Sequence, residues 1–176
     1  MLLPWAVTDR LVRLLQCAYS GELAAALAYR GHARSVRRDD ERESIESIER
    51  DEWEHRREVG EMLDALGAAP GRIRERRAAL VGTALGLLCR VVGWFAPMYA
   101  AGRLERRNIE EYVDGAALAT ACGHGGFAAE LLAMAAREWE HERFFREKAA
   151  SHALWRFVPK WAPAGRKPEQ SAVRIS

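Results

Sequence analysis

The sequence predicts an all-α protein, a four-helix bundle with one extra apolar crossover helix between its second and third helices. The 176 residues are 49% hydrophobic and 30% charged, which is typical of a globular chain with a buried core. Long stretches rich in Ala, Leu, Glu and Arg, with few β-branched runs, favour helices. Along four segments the apolar residues recur in alternating steps of three and four, which is the pattern of a bundle helix.

The first helix is predicted from Thr8 or Asp9, either of which can cap it, to about Arg37. One acidic residue, Glu22, lies in the middle of its apolar seam. The seam consists of Leu11, Leu15, Ala18, Glu22, Ala25, Tyr29, His32 and Val36.

The second helix is predicted to begin at Asp40, because Asp40 and Glu43 form a capping-box pattern, and to end near Gly67. Its seam consists of Ile45, Ile48, Glu52, His55, Val59, Met62 and Leu66. The other acids of this helix lie off the seam and are predicted on a solvated face: Glu46, Glu49, Asp51, Glu54, Glu58 and Glu61.

The crossover helix is predicted within residues 72–97, in a stretch whose residues 78–101 carry Arg90 as their one charge. A membrane span is disfavoured because a central Arg costs about 2.5–3.5 kcal/mol on insertion scales, and because Pro97 would break the helix. We expect this helix to pack on the bundle. Contact of its outer face with a membrane is left open.

The third helix is predicted from near Pro97, and the Gly-rich turn at Gly123 separates it from the fourth. Both seams again carry an acid in the middle. The third seam consists of Met98, Ala101, Glu105, Asn108, Tyr112, Gly115, Ala119 and Cys122, and the fourth of Phe127, Leu131, Met134, Glu138, His141, Phe145 and Lys148.

Each half of the chain therefore combines a seam Glu on one helix with a Glu-x-x-His pair on the next helix. A buried carboxylate is costly unless it is paired, protonated or bound to a metal, and no Lys or Arg occupies the central part of a seam. Two divalent cations would balance four carboxylates and two neutral imidazoles, as in the di-iron and di-manganese bundles. The predicted ligands of this di-metal centre are Glu22, Glu52, His55, Glu105, Glu138 and His141.

The other titratable seam residues are predicted to support the bundle. Tyr29 and Tyr112 each follow the first Glu of their half by seven residues, so they are candidates for a supporting hydrogen bond near the ligands. His32, His124 and His152 lack carboxylate neighbours at ligand spacing. We expect these three to be structural.

Four segments resemble the demethoxyubiquinone hydroxylases of ubiquinone biosynthesis, a family of ferritin-like di-iron carboxylate proteins. Residues 21–31, Gly-Glu-Leu-Ala-Ala-Ala-Leu-Ala-Tyr-Arg-Gly, are similar to the first motif of that family. The two Glu-Trp-Glu-His segments, residues 52–55 and 138–141, match its two Glu-x-x-His motifs, and Glu105 with Tyr112 matches its third-helix motif. The resemblance covers about residues 10–150.

The resemblance implies a di-iron monooxygenase that uses O2 to hydroxylate an apolar, quinone-like or aromatic substrate. It implies two iron ions, with manganese as the alternative metal. One ion would be held mainly by Glu22, Glu52 and His55, and the other by a second set consisting of Glu105, Glu138 and His141. The resemblance also implies that the apolar segment before the third helix admits the substrate at a membrane face. The electron donor is left open.

Three other functions remain open at this point. A ferritin- or rubrerythrin-like iron oxidase or peroxidase would need no organic substrate, and a related di-iron hydroxylase could act on tRNA or a natural product. A structural bundle with a buried polar layer would need no metal. The long apolar segment disfavours the iron oxidase, and the flanking arginines fit an anionic lipid surface as well as a nucleic acid, which we consider the less favoured partner.

The expected organisation is a bundle domain over residues 1–151 and an aromatic, basic tail over residues 152–176. Cys17, Cys89 and Cys122 form no CxxC pair, which favours small core residues in a reducing cytoplasm over a disulfide framework or zinc ribbon. We expect a cytoplasmic protein, peripheral at the cytoplasmic membrane face if the apolar segment meets lipid. A homo-oligomer is compatible with the sequence.

Overall fold

The structure, a computed structural model, describes residues 4–168 and consists of helices. Within these residues there is no β-strand, so the all-α prediction is confirmed. The chain forms two compact units: the first is Val12–Pro97, and the second joins the start of the first helix, as far as Leu11, to the chain from Met98 onward. The elements are α1 (Pro4–Ala33), α2 (Asp39–Ala65), α3 (Arg72–Leu88), α4 (Phe95–Ala121), α5 (Gly125–Ala150) and a 3-10 helix, η1 (Ala153–Phe157).

In the first unit, α1 and α2 form an antiparallel hairpin. Near the turn, Arg30 of α1 donates to Glu49 of α2 at 2.8 Å, whereas further from the turn the ring of Tyr19 lies against Gly60. Every predicted seam residue of α1 is buried, and so are those of α2 from Ile45 to Met62. The predicted three-and-four periodicity therefore identifies the faces that build this core.

The ends of α1 and the start of α2 differ from the predictions. The helix begins at Pro4, so neither Thr8 nor Asp9 caps it, and proline suits a first turn because its missing N–H has no helical partner there. It ends at Ala33 rather than Arg37, because the Ser35 N–H and hydroxyl both donate to the His32 carbonyl, at 2.8 and 2.7 Å, and close a turn.

The predicted capping box at Asp40 is wrong. The residue before α2 is Arg38, whose side chain makes no capping hydrogen bond, and Asp39 and Asp40 both lie inside the first turn. Carboxylates in that turn interact favourably with the partial positive charge of the helix N-terminus. The acids therefore stabilise the start of α2 electrostatically rather than as caps.

Helix α3 packs on α1 through glycines. A Cβ atom added to Gly82 would lie 2.4 Å from the Ala24 carbonyl oxygen, and one added to Gly31 would lie 2.3 Å from the Gly86 Cα. The two helices thus meet backbone to backbone, and Gly82 and Gly86 are the two buried residues of α3. The crossover helix was predicted to pack on the bundle, and it packs on α1 through these glycines while its large apolar side chains are exposed.

The large apolar side chains of α3 and of the turn after it are exposed to solvent. The helix ends at Leu88, and the chain turns at Gly93, whose φ of 79° favours glycine, before α4 begins. The apolar stretch 78–101 is therefore two helices and a turn, and no helix within residues 4–168 is long and apolar enough to span a membrane. The exposed side chains are Ile73, Leu80, Val81, Leu85, Leu87, Leu88, Val91 and Val92.

The second unit is built on the hairpin of α4 and α5. Pro97 lies in the first turn of α4, as predicted, and Gly123, with a φ of 80°, makes the turn between the two helices. Gly102 of α4 lies against Phe145 of α5. After α5 the chain folds back on this hairpin, as described below for residues 151–168. The rest of the predicted tail, residues 169–176, lies outside the described residues.

Candidate metal centre

The first unit brings together a buried group of two carboxylates and an imidazole. Glu22 comes from the middle of α1, and Glu52 and His55 come from one face of α2, three residues apart. Their exposed fractions are 3%, 0% and 1%. Each offers a ligand atom within 4.8 Å of the ligand atoms of the other two. We call these three residues the first group.

The second unit contains an equivalent set, which we call the second group: Glu105 of α4, and Glu138 and His141 of α5. Both carboxylates are wholly buried, and again the three ligand atoms lie within 4.8 Å of one another. His141 Nδ1 lies 3.7 Å from Glu138 Oε2. Asn108, one turn after Glu105, donates from Nδ2 to Glu105 Oε2 at 3.0 Å and fixes the orientation of that carboxylate.

The donor chemistry of each group fits a divalent transition metal. Carboxylate oxygen and imidazole nitrogen are the ligands that iron and manganese take in carboxylate bundles. Two buried carboxylates this close repel each other, and a cation between them would remove that repulsion. Each group could therefore hold a metal ion, and each is placed on the helices that the sequence predicted.

A cluster of polar contacts that sequence reasoning missed involves residues next to the first group in the chain. Arg56, next to His55, donates to the Tyr19 carbonyl and forms an ion pair with Glu75 of α3, while its guanidinium lies 3.7 Å from the centre of the Tyr19 ring. Ser20 of α1 donates to the same Glu75 at 2.7 Å. Glu75 thus connects α1 and α2 beside Glu22 and His55. Nothing in the helical periodicity signals this link, because Glu75 lies outside both seams.

Two further buried carboxylates were also missed. Glu41 and Glu142 are 4% and 0% exposed, and each accepts a hydrogen bond from an indole N–H: from Trp94 at 2.7 Å and from Trp161 at 2.8 Å. The burial of Glu142 could have been predicted from its spacing, since it lies four residues after Glu138 and therefore on the same face of α5.

Each of the three remaining histidines lies away from the metal group of its own unit. His32 is ten residues after Glu22 on α1, about 15 Å along the helix. Burial lowers its pKa to about 4, and the nearby Glu41 carboxylate opposes this effect. His124 stacks on Phe127 at the start of α5, and His152 accepts a hydrogen bond from the backbone of η1.

The tyrosines predicted to support the ligands are both buried in the cores of their units. Tyr29 is 3% exposed and Tyr112 is 1% exposed. Each lies about two helical turns from the Glu of its own helix. A hydrogen bond from either tyrosine to the ligands stays a prediction.

More than half of the sequence matches a known family. The model of the ubiquinone biosynthesis protein COQ7 family matches residues 9–115, which include Glu22, Glu52, His55 and Glu105. The chain belongs to this family. COQ7 proteins are ferritin-like di-iron monooxygenases, the demethoxyubiquinone hydroxylases, so the predicted enzyme class and ferritin-like fold are confirmed. No curated protein and no solved structure matches the chain.

Membership of the COQ7 family decides between the functions left open by the sequence. It identifies a di-iron hydroxylase of ubiquinone biosynthesis that uses O2 and a quinone-like substrate, rather than an iron oxidase or a metal-free bundle. The family match ends before α5, so the assignment of Glu138 and His141 as metal ligands rests on the sequence pattern and on the geometry of the second unit.

Proposed function

We propose that the first group and the second group each bind one of the two iron ions of the enzyme. The observation that carries the proposal is that each half of the chain buries the same Glu, Glu and His set on successive helices, in a member of a di-iron family. Iron is favoured over manganese because the family is di-iron, although the donors suit both metals. The six ligands are Glu22, Glu52, His55, Glu105, Glu138 and His141.

The reaction we propose is hydroxylation of the ring of an apolar, quinone-like substrate. A ring C–H becomes C–OH as one O2 molecule, two electrons from an external donor and two protons yield the hydroxylated ring and water. When bound, the iron ions supply the binding and reduction of O2. The residues of the chain hold the ions in a buried, water-poor site, and Asn108 keeps the Glu105 carboxylate in one orientation.

The first test measures metal content and product together. Metal-free protein, loaded anaerobically with Fe(II), should bind two ions per chain, and should add one ¹⁸O atom from ¹⁸O2 to a short-chain quinone lacking one ring oxygen. Reducing equivalents come from a chemical donor. Protein that binds two ions but leaves the quinone unchanged would contradict the substrate class. Protein that binds no iron, and whose melting temperature Fe(II) leaves unchanged, would contradict the centre itself.

Variants of the repeated Glu-Trp-Glu-His segments provide a matched comparison. Glu52→Ala and Glu138→Ala should each abolish one metal ion and the activity together. The second Glu of the first segment, Glu54, lies on the same helix as Glu52 but is paired at the surface with Arg57, so Glu54→Ala should keep both ions. Two ions and full turnover in Glu105→Ala protein would show that the third-helix ligand is wrongly assigned.

We further propose that the outer face of α3 lies on an anionic membrane surface and receives the substrate from lipid. Its large side chains point outward because glycines make its inner contact, and this leaves an apolar patch such as soluble surfaces rarely carry. Exposed arginines flank the patch and complement anionic headgroups. They are Arg72, Arg74, Arg76, Arg77 and Arg90.

Vesicle flotation tests this placement. The protein should float with phosphatidylglycerol vesicles and much less with neutral phosphatidylcholine vesicles. Leu80→Ser, at a side chain that is 72% exposed, should weaken binding about tenfold, because burying one Leu side chain contributes roughly 1.5–3 kcal/mol. Leu104→Ser, at an exposed position of α4, is the matched control and should bind as wild type. Equal effects of the two variants would contradict α3 as the contact face.

A further inference from the structure

The segment after α5 is attached to α4 and α5 by hydrogen bonds, an ion pair and ring contacts. We call residues 151–168 the tail. It runs back along α5, and its contacts include both backbone carbonyls and side chains. Tyr99 donates to the Pro159 carbonyl at 2.6 Å, Trp161 to Glu142 at 2.8 Å and Trp139 to the Gly165 carbonyl at 2.9 Å, and Lys167 pairs with Glu140.

The indole of Trp161 lies directly on the backbone of α4. A Cβ atom added to Gly102 would lie 2.7 Å from Cζ2 of this ring, so a residue larger than glycine at this position would displace the ring. The rings of Tyr99 and Trp155 meet its edges, with centroid separations of 5.4 and 5.3 Å. Aromatic edge contacts of this kind fix the plane of the ring.

The N–H end of the same indole is bound to α5. Glu142 accepts from Trp161 and, through the same Oε1 atom, from Arg146 Nε at 2.9 Å. The Glu142 side chain is wholly buried. Because a buried carboxylate is destabilising without such partners, these two hydrogen bonds hold the side chain in one place. Trp161 therefore connects α4 to α5.

This connection lies at the level of the second group. Gly102 precedes Glu105 by one turn of α4, and Glu142 directly follows His141 on α5. The distance between Glu105 and His141 depends on the separation of α4 and α5. Trp161 contacts both helices at this level and so helps to set that separation. Ligand positions in a metal site must hold to about 0.5 Å, so a support at this level has a direct effect on the metal.

We infer that the tail is a positioning element for the second group, acting through the Trp161–Glu142 hydrogen bond and the Trp161–Gly102 contact. The inference rests on the proposed function, since it assigns the tail a role in binding one of the two proposed metal ions. Trp161 touches neither metal nor substrate in this role. It sets the separation of the helices that carry Glu105 and His141.

The experiment is a metal titration of the metal-free, full-length protein, with Mn(II) as an air-stable probe. Trp161→Phe keeps an aromatic ring but loses the N–H. It should lower the affinity for one of the two ions by about 10–100-fold, while the other ion binds as in wild type. Glu142→Gln keeps an acceptor for the indole and should bind both ions almost normally, whereas Glu142→Ala should behave as Trp161→Phe.

Trp94→Phe is the matched control in the first unit. It deletes the same kind of hydrogen bond, from an indole N–H to the buried Glu41. Glu41 lies about three turns before Glu52 on α2, which is ~16 Å along the helix. It should keep both ions. In a His141→Ala background, adding Trp161→Phe should leave the affinity of the remaining ion unchanged, because the group that the tail supports is already lost.

Each outcome separates the inference from the proposed function. If wild type binds two ions and Trp161→Phe binds both with unchanged affinity, the inference is overturned and the di-metal centre stands. Equal weakening of both ions would also overturn it, since that result indicates a general loss of structure. Wild type without any bound ion overturns the proposed function, and the inference with it.

Discussion

Replacing Glu52 by Gln should have opposite effects on the stability of the protein with and without metal. Glu52 is wholly buried, and its ligand atom lies within 4.8 Å of that of Glu22. Two unit charges at that distance repel by about 3 kcal/mol at an effective dielectric constant of ~20. We expect the substitution to remove part of this repulsion, so it should stabilise the metal-free protein by about 1–3 kcal/mol.

In a chain of this length, 1 kcal/mol corresponds to about 2–4 °C in melting temperature, so metal-free Glu52→Gln protein should melt about 2–12 °C above wild type. With metal the order reverses. An ion at 100 times its dissociation constant stabilises the folded state by about 2.7 kcal/mol, and the variant loses at least one such contribution. The two melting temperatures should therefore cross as metal is added.

Thermal unfolding followed by circular dichroism, with chelator and then with Mn(II), measures both states. Glu54→Gln is the control, because Glu54 lies two residues away on the same helix and pairs with Arg57 at the surface. It should change neither melting temperature by more than about 1 °C. The reasoning would be refuted if metal-free Glu52→Gln protein melted below metal-free wild type and if metal raised its melting temperature as much as that of wild type.

Three further substitutions test other parts of the structure. Gly82→Ala should lower stability by about 1–3 kcal/mol in urea unfolding, because its Cβ would meet the α1 backbone, whereas Gly21→Ala, with open space around it, should not. Burial lowers the His32 pKa from 6.5 to about 4, so the unfolded chain binds more protons between these values. Stability should thus fall by about 3 kcal/mol as pH drops from 6.5 to 4, and His32→Gln should remove that part of the pH dependence in metal-free protein. Asn108→Ala should weaken metal binding about 10–100-fold in a competition titration, by releasing Glu105.

The candidate ligands could be predicted because burial in a helical bundle is periodic along the sequence. A Glu at a position where Leu or Ile is expected stands out, and the structure places Glu22, Glu52, Glu105 and Glu138 at such positions on four helices. Helix ends were predicted less well. Competing local hydrogen bonds decide them, as Ser35 does at the end of α1.

The contacts that the sequence did not reveal are made by residues outside the periodic apolar pattern of the helices. Glycine has no side chain to enter an apolar stripe, so the contact of Gly82 with α1 could not be read from the pattern of α3. The tail has no repeating pattern at all, and the position of Trp161 follows from a fold-back that no local rule specifies. Glu142 was overlooked because the predicted seam passes through its neighbour His141, although both residues are buried.

The glycine contact between α1 and α3 has a consequence for local unfolding. Because Gly82 and Gly86 are the buried residues of α3, the helix buries little apolar surface when it docks, and the Glu75–Arg56 ion pair supplies much of its specific attachment. Segments with few buried apolar contacts open at a lower free energy than the rest of a domain. The amide protons of α3 should therefore exchange with solvent well before those of α1 and α2, through openings that leave the first group assembled.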